Sequence, residues 1–103
     1  MELSVILPIV QAVVLFHDFR LLAIRLPDDR AAIGLRALCR MFNLSIGSQL
    51  NRFQRDPNLA GQLILARVNT PSGPQYMDFL IVQAIPLWLI GLHFTAPFRK
   101  SAM

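Results

Sequence analysis

The arginines between Arg30 and Arg55 are the residues most able to do chemistry in this chain. This stretch contains five arginines and no acidic residue, so it carries +5 of a whole-chain net charge of +4 and leaves −1 for the remainder. Guanidinium groups bind phosphate oxygens through paired N–H donors, and a local excess of positive charge favours an anionic partner. The sequence therefore predicts a surface for DNA. Its five arginines are Arg30, Arg36, Arg40, Arg52 and Arg55.

Residues with enzymatic or metal-binding chemistry are few and scattered. The histidines His17 and His93 and the single cysteine Cys39 are far apart in sequence, and the five glycines occur singly. These spacings match no metal motif, phosphate loop or nucleophile elbow, and Asp28-Asp29 follows Pro27 as turn residues do. We expect no catalysis, no cofactor and no metal. One cysteine also excludes a disulfide framework and fits a reducing compartment, the cytoplasm.

Length and composition limit the elements that can position these arginines. A chain of 103 residues makes one small domain, and a hydrophobic content of 54% with only 16% charged residues excludes disorder. The β-branched segments VQAVVLF (10–16) and LLAIRL (21–26) flank a short polar turn and predict a β-hairpin. After the turn at Pro27-Asp28-Asp29-Arg30, residues 31–33 are expected to form a third strand.

The arginine-rich stretch itself has helical periodicity. Leu35, Leu38, Cys39 and Phe42 are spaced as one apolar stripe, which predicts a helix over 35–42. Asn43 is a left-handed stop and Ser45 is the N-cap of a second helix. The apolar face of that helix is expected at Ile46, Leu50 and Phe53, and its end near Arg55, because Pro57 disfavours helical geometry at Asp56.

Both helices are expected to present arginine to solvent. Arg36 and Arg40 lie four residues apart on the side opposite the apolar stripe, and Arg52 and Arg55 lie three apart beside the second stripe. Guanidinium groups at these positions would contact phosphates. Polar side chains of the second helix would approach base edges, as recognition helices do; the predicted base-contacting residues are Gln49 and Asn51.

A second hairpin and an apolar helix follow. LILARV within 59–69 and YMDFLIV within 75–82 flank the turn residues Thr70-Pro71-Ser72-Gly73-Pro74, and 84–92 reads as a short apolar helix. The predicted fold class is thus α+β: one small domain with two β-hairpins around a helix-turn-helix-like pair and a C-terminal apolar helix. Trp88 is expected in the core or in a dimer contact, and Trp88 with Leu92 is the candidate partner interface.

The order of these features resembles the N-terminal domain of phage antirepressor proteins, a relative of the Bro-N type domains. The resemblance rests on three segments, namely 13–30, 33–60 with its Arg55-Asp56-Pro57 stop, and IPLWLIGL at 85–92. It implies an α+β domain of phage or prophage regulators that bind DNA or antagonise a repressor. Two features depart from the pattern. His17-Asp18 stands where the family usually has a Tyr-Gly-Asp turn, and the chain lacks the usual C-terminal continuation, as expected of a truncated domain.

Two alternatives to DNA binding stay open at this point. One is a protein interaction module that binds a repressor or a second copy of itself through the surface around Trp88 and Leu92. The other is a small membrane protein that spans the bilayer with residues 79–98, which contain no Asp, Glu, Lys or Arg. Gln83, Pro86, His93 and Pro97 interrupt that segment and argue against the span.

Overall fold

The structure, a computed structural model, describes residues 5–92 of the chain. Within this range four strands, two helices, two further strands and a C-terminal helical segment follow one another in an α+β arrangement. In chain order they are β1 (Val5–Ile6), β2 (Val10–Phe16), β3 (Phe19–Arg25), β4 (Ala31–Gly34), α1 (Leu35–Met41), α2 (Ile46–Arg55), β5 (Leu63–Thr70), β6 (Gly73–Ile81), a 3₁₀ turn (Val82–Ala84) and α3 (Ile85–Ile90). The predicted fold class, both hairpins and the helix pair are confirmed.

The strands form one sheet whose order is β1-β5-β6-β4-β3-β2. Neighbouring strands are antiparallel except for β1, which pairs parallel to β5. The outermost strands β1 and β2 are consecutive in the chain and run in the same direction. They would stand about 24 Å apart in a flat sheet, yet the steps from Ile6 to Val10 reach only about 14 Å when extended. The sheet must therefore curve until its two edges approach each other.

Direct contacts bring the two edges of the sheet together. The backbone N–H of Ile9 donates to the carbonyl of Arg25 at 2.8 Å, which holds the link between β1 and β2 against β3. The side chain of Gln11 in β2 forms two hydrogen bonds with the backbone of Asn69 in β5, at 2.8 and 3.0 Å. Beyond the end of β1, the Gln11 side chain thus makes the hydrogen bonds to β5 that a neighbouring strand would otherwise make.

The core lies on the inner face of this curved sheet and beneath the helices. Register places the buried side chains of four strands on one face: Ile24, Ala32, Ala66, Val68, Phe79 and Ile81. The helices add their own fully buried residues, of which Leu35 and Trp88 are the largest in α1 and α3. Burial of such side chains contributes about 1.5–3 kcal/mol each and is the main force that holds helices and sheet together.

The segment proposed as a membrane span has mixed structure. Its first residues complete β6, the next form the 3₁₀ turn, and α3 ends at Ile90 with Gly91 as its C-cap. Among residues 5–92, every helix is too short or too polar to cross a bilayer. The described part of the predicted span, residues 79–92, is therefore divided among a strand, a 3₁₀ turn and a short helix, and residues 93–98 lie outside the described range.

Candidate nucleic-acid interface

Helix α1 presents two arginines to solvent. It buries Leu35, Leu38 and Cys39 against the sheet, which fixes the opposite side of the helix as its exposed face. Arg36 and Arg40 are both exposed, and at 100° per residue they point within about 40° of each other. Arg40 also lies in the last turn, where a cation favours the helix dipole. The expectation that these two guanidinium groups face outward is confirmed.

Helix α2 carries a polar stripe along its solvent side. Ser45 caps the helix by accepting the N–H of Ser48 at 3.3 Å, and Asn43 adopts the left-handed conformation with φ 58°, as the sequence predicts. The helix ends at Arg55 with Asp56 as its C-cap. The exposed polar residues of this helix are Ser48, Asn51, Gln54 and Arg55. Asn51 and Arg55 are therefore accessible to a ligand, and the Nε of Arg55 is 3.4 Å from the carbonyl of Asn51.

Gln49 is the clearest correction to the predicted site. Its side chain is only 8% exposed, and its Oε1 accepts a hydrogen bond from the indole Nε1 of Trp88 at 2.9 Å. A buried indole N–H needs such a partner, because leaving it unpaired costs about 1–3 kcal/mol. The prediction that Gln49 approaches base edges is wrong, because its amide holds α3 against α2.

Arg52 also has a partner within the chain. It is half-buried, and its Nη1 donates to the carbonyl of Trp88 at 3.0 Å. This carbonyl belongs to the last turn of α3, where backbone acceptors have no helical partner. Gly91 makes the approach possible, since a Cβ there would overlap the guanidinium group. Arg52 therefore caps α3, and its predicted outward position beside Arg55 is wrong.

Trp88 occupies the core, which is one of the two positions predicted for it, and is not available at the surface as the predicted partner interface requires. Trp88 is completely buried and its ring meets Phe42 edge-on at 6.1 Å between centroids, while Leu92 is half-buried. Trp88 is the largest side chain of α3, so turning it inward removes the most apolar area from water. The exposed apolar side chains of this helix are instead Leu87 and Ile90, at 44% and 81%.

Neighbouring carboxylates reduce the positive charge at the edges of the stretch. Arg30 pairs with Asp28 at 2.7 Å and Arg25 with Asp29 at 2.8 Å, both on the turn after β3. Hydrogen bonds from the backbone and side chain of Arg30 lower the pKa of Asp28 below its ordinary value of 3.8. Among residues 5–92, the arginines of the helix pair have no ion-pair partner. Arg36, Arg40 and Arg55 are exposed, whereas Arg52 is half-buried and keeps its charge beside the neutral Trp88 carbonyl.

A groove beside Arg36 adds residues that the sequence pattern did not indicate. It has a volume of about 230 Å³ and is lined by Arg36, Ile46, Leu50 and residues 75–78 of β6. Tyr76 is 63% exposed at its rim and lies opposite Arg67 in the ladder between β5 and β6. An aromatic ring beside arginines suits stacking of a base, although Asp78 also lines the groove. Strand pairing places Tyr76 near Arg36, although the two residues are forty positions apart in the chain. The local spacing of residues therefore does not predict this groove.

Cys39 and His17, the described cysteine and histidine, bring no reactive group to this surface. Cys39 is buried in α1, and burial raises the pKa of its thiol to about 11, so it stays protonated and unreactive at neutral pH. His17 occupies the turn between β2 and β3 with φ 55° and its ring lies against Phe16. His93 lies outside the described residues. Among residues 5–92, no cluster of three or more His, Cys, Asp or Glu could hold a metal ion.

Comparison with known proteins adds no relative to this geometry. No family model, curated protein or solved structure matches the chain.

Proposed function

We propose that this chain is a DNA-binding regulatory domain of the antirepressor type, and that it binds through the exposed faces of α1 and α2. The observation that supports this most strongly is the set of exposed guanidinium groups of Arg36, Arg40 and Arg55 on two adjacent helices whose segment, residues 31–55, contains no carboxylate. Such a surface attracts phosphates through charge and hydrogen bonds, whatever the base sequence.

The polar stripe of α2 supplies the groups for reading bases. Asn51 lies near the centre of the exposed face, and its amide can both donate and accept, as the edge of adenine requires. Ser48 and Gln54 flank it on the same face. Arg36 and Arg40 would bind the phosphate backbone of the DNA while the polar stripe of α2 contacts bases in a DNA groove. Helix-turn-helix proteins commonly combine these two kinds of contact.

The regulatory setting of this proposal comes from the resemblance to antirepressor domains. The segments that carry the resemblance coincide with β2 to β4, with α1 and α2, and with α3. Two contacts hold α3 to α2, namely Trp88 with Gln49 and Arg52 with the Trp88 carbonyl. They give the late IPLWLIGL segment a structural role in supporting the helix pair.

The salt dependence of DNA binding tests the proposal. A labelled duplex is titrated with the protein by fluorescence anisotropy at increasing KCl. If three arginines neutralise three phosphates, log K should fall against log salt with a slope of about −2.7. The variant R36Q/R40Q should lower the affinity and reduce the slope by about 1.8, because two phosphate contacts are lost.

A single charge change away from the helix pair serves as the control. Arg20 is exposed at the end of the first hairpin, so Arg20→Gln removes a positive charge away from the helix pair and should leave the slope unchanged. The proposal fails if the folded protein does not bind the duplex at low salt. It also fails if R36Q/R40Q and Arg20→Gln have the same salt slope.

A further inference from the structure

Most of the large apolar side chains that are exposed among residues 7–92 lie in β2 and in the link before it. Among residues 5–92 β2 is an edge strand, and from Ala12 to Phe16 its outer side has no strand beside it. Seven apolar side chains of β2 and its preceding link are between 46% and 69% exposed. These residues are Leu7, Ile9, Val10, Val13, Val14, Leu15 and Phe16.

This edge lacks the features that keep edge strands apart. Proteins protect exposed edges with lysine, proline, bulges or inward-pointing charges. The sequence of β2 is VQAVVLF, with no charge and no proline, and its ladder with β3 continues without a bulge from Val10 to Phe16. The unpaired backbone groups of an unprotected apolar edge bind another strand readily.

We propose that this edge is occupied by the β2 strand of a second copy of the chain. In an antiparallel pairing around a two-fold axis, residues near Val13 and Val14 would face the same residues of the partner copy. Every cross-strand pair in that segment is apolar, so the pairing meets no like-charge repulsion. The two sheets would become one continuous sheet across the axis.

The open part of the edge offers a second copy both backbone groups and apolar side chains. Val13, Val14, Leu15 and Phe16 lie within it and are 46–69% exposed, and main-chain hydrogen bonds supply affinity when a strand is added to a sheet edge. The exposed apolar pair on α3, Leu87 and Ile90, is much smaller. This inference concerns β2 and does not depend on DNA binding by α1 and α2.

Sedimentation of the full chain without nucleic acid tests the proposal. The protein should sediment at twice its mass of 11.6 kDa. The variant V13E/L15E should sediment as a monomer, because glutamates of the two copies would face each other. Within one copy Leu15 lies opposite Arg20, so a glutamate at this position is compatible with the hairpin. Circular dichroism verifies that the variant is folded.

A charge change on the other apolar patch is the matched control. Ile90 is 81% exposed on α3, and Ile90→Glu should leave the dimer intact. The proposal is overturned if the chain remains monomeric at about 100 μM, above the micromolar dissociation constants of the weakest standard interfaces. A dimer that persists in V13E/L15E and dissociates in Ile90→Glu also overturns it.

Cross-linking locates the axis and gives a readout that does not depend on a disruptive variant. Single cysteines at positions 12 to 15 are oxidised in turn. Because Cys39 is buried with a pKa raised to about 11, it should not cross-link in the folded protein. At least one of the four positions should form a covalent dimer, and Ile90→Cys should not. Failure of all four positions contradicts the β2 pairing.

Discussion

The hydrogen bond between the Trp88 indole and the Gln49 amide links stability and function at the scale of single residues. Both side chains are buried, and the donor and acceptor are 2.9 Å apart. Gln49 adjoins Ser48 on α2, which faces solvent. Gln49 therefore faces inward and stabilises the fold, whereas its neighbour Ser48 faces outward, where it can contact DNA.

Replacement of Gln49 by leucine should destabilise the protein without changing its DNA contacts. The indole N–H would lose its partner, so we expect a loss of about 1–3 kcal/mol in the free energy of unfolding. Urea denaturation followed by the fluorescence of Trp88, the single tryptophan of the chain, measures this loss. DNA affinity of the folded variant should remain at the wild-type level.

The exposed neighbour Asn51 provides the control for that prediction. Asn51→Ala should leave the free energy of unfolding within about 0.5 kcal/mol, as is usual for surface substitutions, and should weaken DNA binding. The reverse pattern, with Gln49→Leu stable but unable to bind DNA, would restore Gln49 to the interface and contradict the role of Asn51.

At the scale of elements, the turn between α1 and α2 depends on the conformation of Asn43. Its φ is 58°, in the left-handed region that Asn and Gly adopt more easily than other residues. The N–H of Asn43 donates to the carbonyl of Arg40 at 3.2 Å, and that of Leu44 to the carbonyl of Cys39 at 2.7 Å. The turn thus supplies hydrogen-bond donors to carbonyl groups at the C-terminal end of α1, and it sets the direction of α2.

Substitution of Asn43 by alanine should destabilise this turn. A Cβ-bearing residue without Asn's local hydrogen bonding costs about 1–2 kcal/mol in the left-handed conformation, so the free energy of unfolding should fall by about that amount. Asn43→Gly should remain close to wild type, since glycine adopts this conformation without strain. Chemical denaturation of both variants decides the question, and equal stabilities would show that the conformation at position 43 carries no strain.

The sequence predicts elements well where their ends have local causes. Asn43, Ser45 and Pro57 mark the ends of α1 and α2, and the helix bounds agree with the structure within one residue. The first hairpin is less accurate, because the turn is confined to His17-Asp18 and β3 starts at Phe19 rather than at residue 21. The short strand β1 has no local signature, since its two residues pair with a strand about sixty positions away.

The candidate site shows the same limit. Periodicity places Arg36, Arg40, Asn51 and Arg55 outside the apolar stripes, and all four are exposed. Gln49 and Arg52 also lie outside the stripe of α2, but on the side against which α3 packs, and helical periodicity does not reveal this contact. Packing of α3 about forty residues later decides it. Sequence patterns therefore predict helix faces, whereas the borders of a face depend on tertiary contacts.

At the scale of the whole molecule, the approach of β2 to β5 determines which part of the sheet edge is free. The Gln11 side chain uses its donor and its acceptor on the backbone of Asn69, at 2.8 and 3.0 Å. This pair satisfies outward-facing backbone groups of β5 beyond the end of β1. It also holds the first residues of β2 against the body of the molecule, so that the outer side is open only from Ala12 to Phe16.

Loss of the Gln11 side chain should loosen this closure. In Gln11→Ala the Asn69 backbone loses two hydrogen bonds, each with a net contribution of about 0.5–1.5 kcal/mol, and water replaces them because the site is partly exposed. We expect faster hydrogen exchange at the Asn69 amide and a loss of about 1–2 kcal/mol in the free energy of unfolding.

Gln54→Ala, on the exposed face of α2, is the matched control and should change neither quantity. An Asn69 amide that exchanges at the wild-type rate in Gln11→Ala would mean that the short β1 pairing alone keeps the sheet curved. Because the two described residues of β1 pair at Leu65 and Ala66, we expect Gln11 to carry much of this closure.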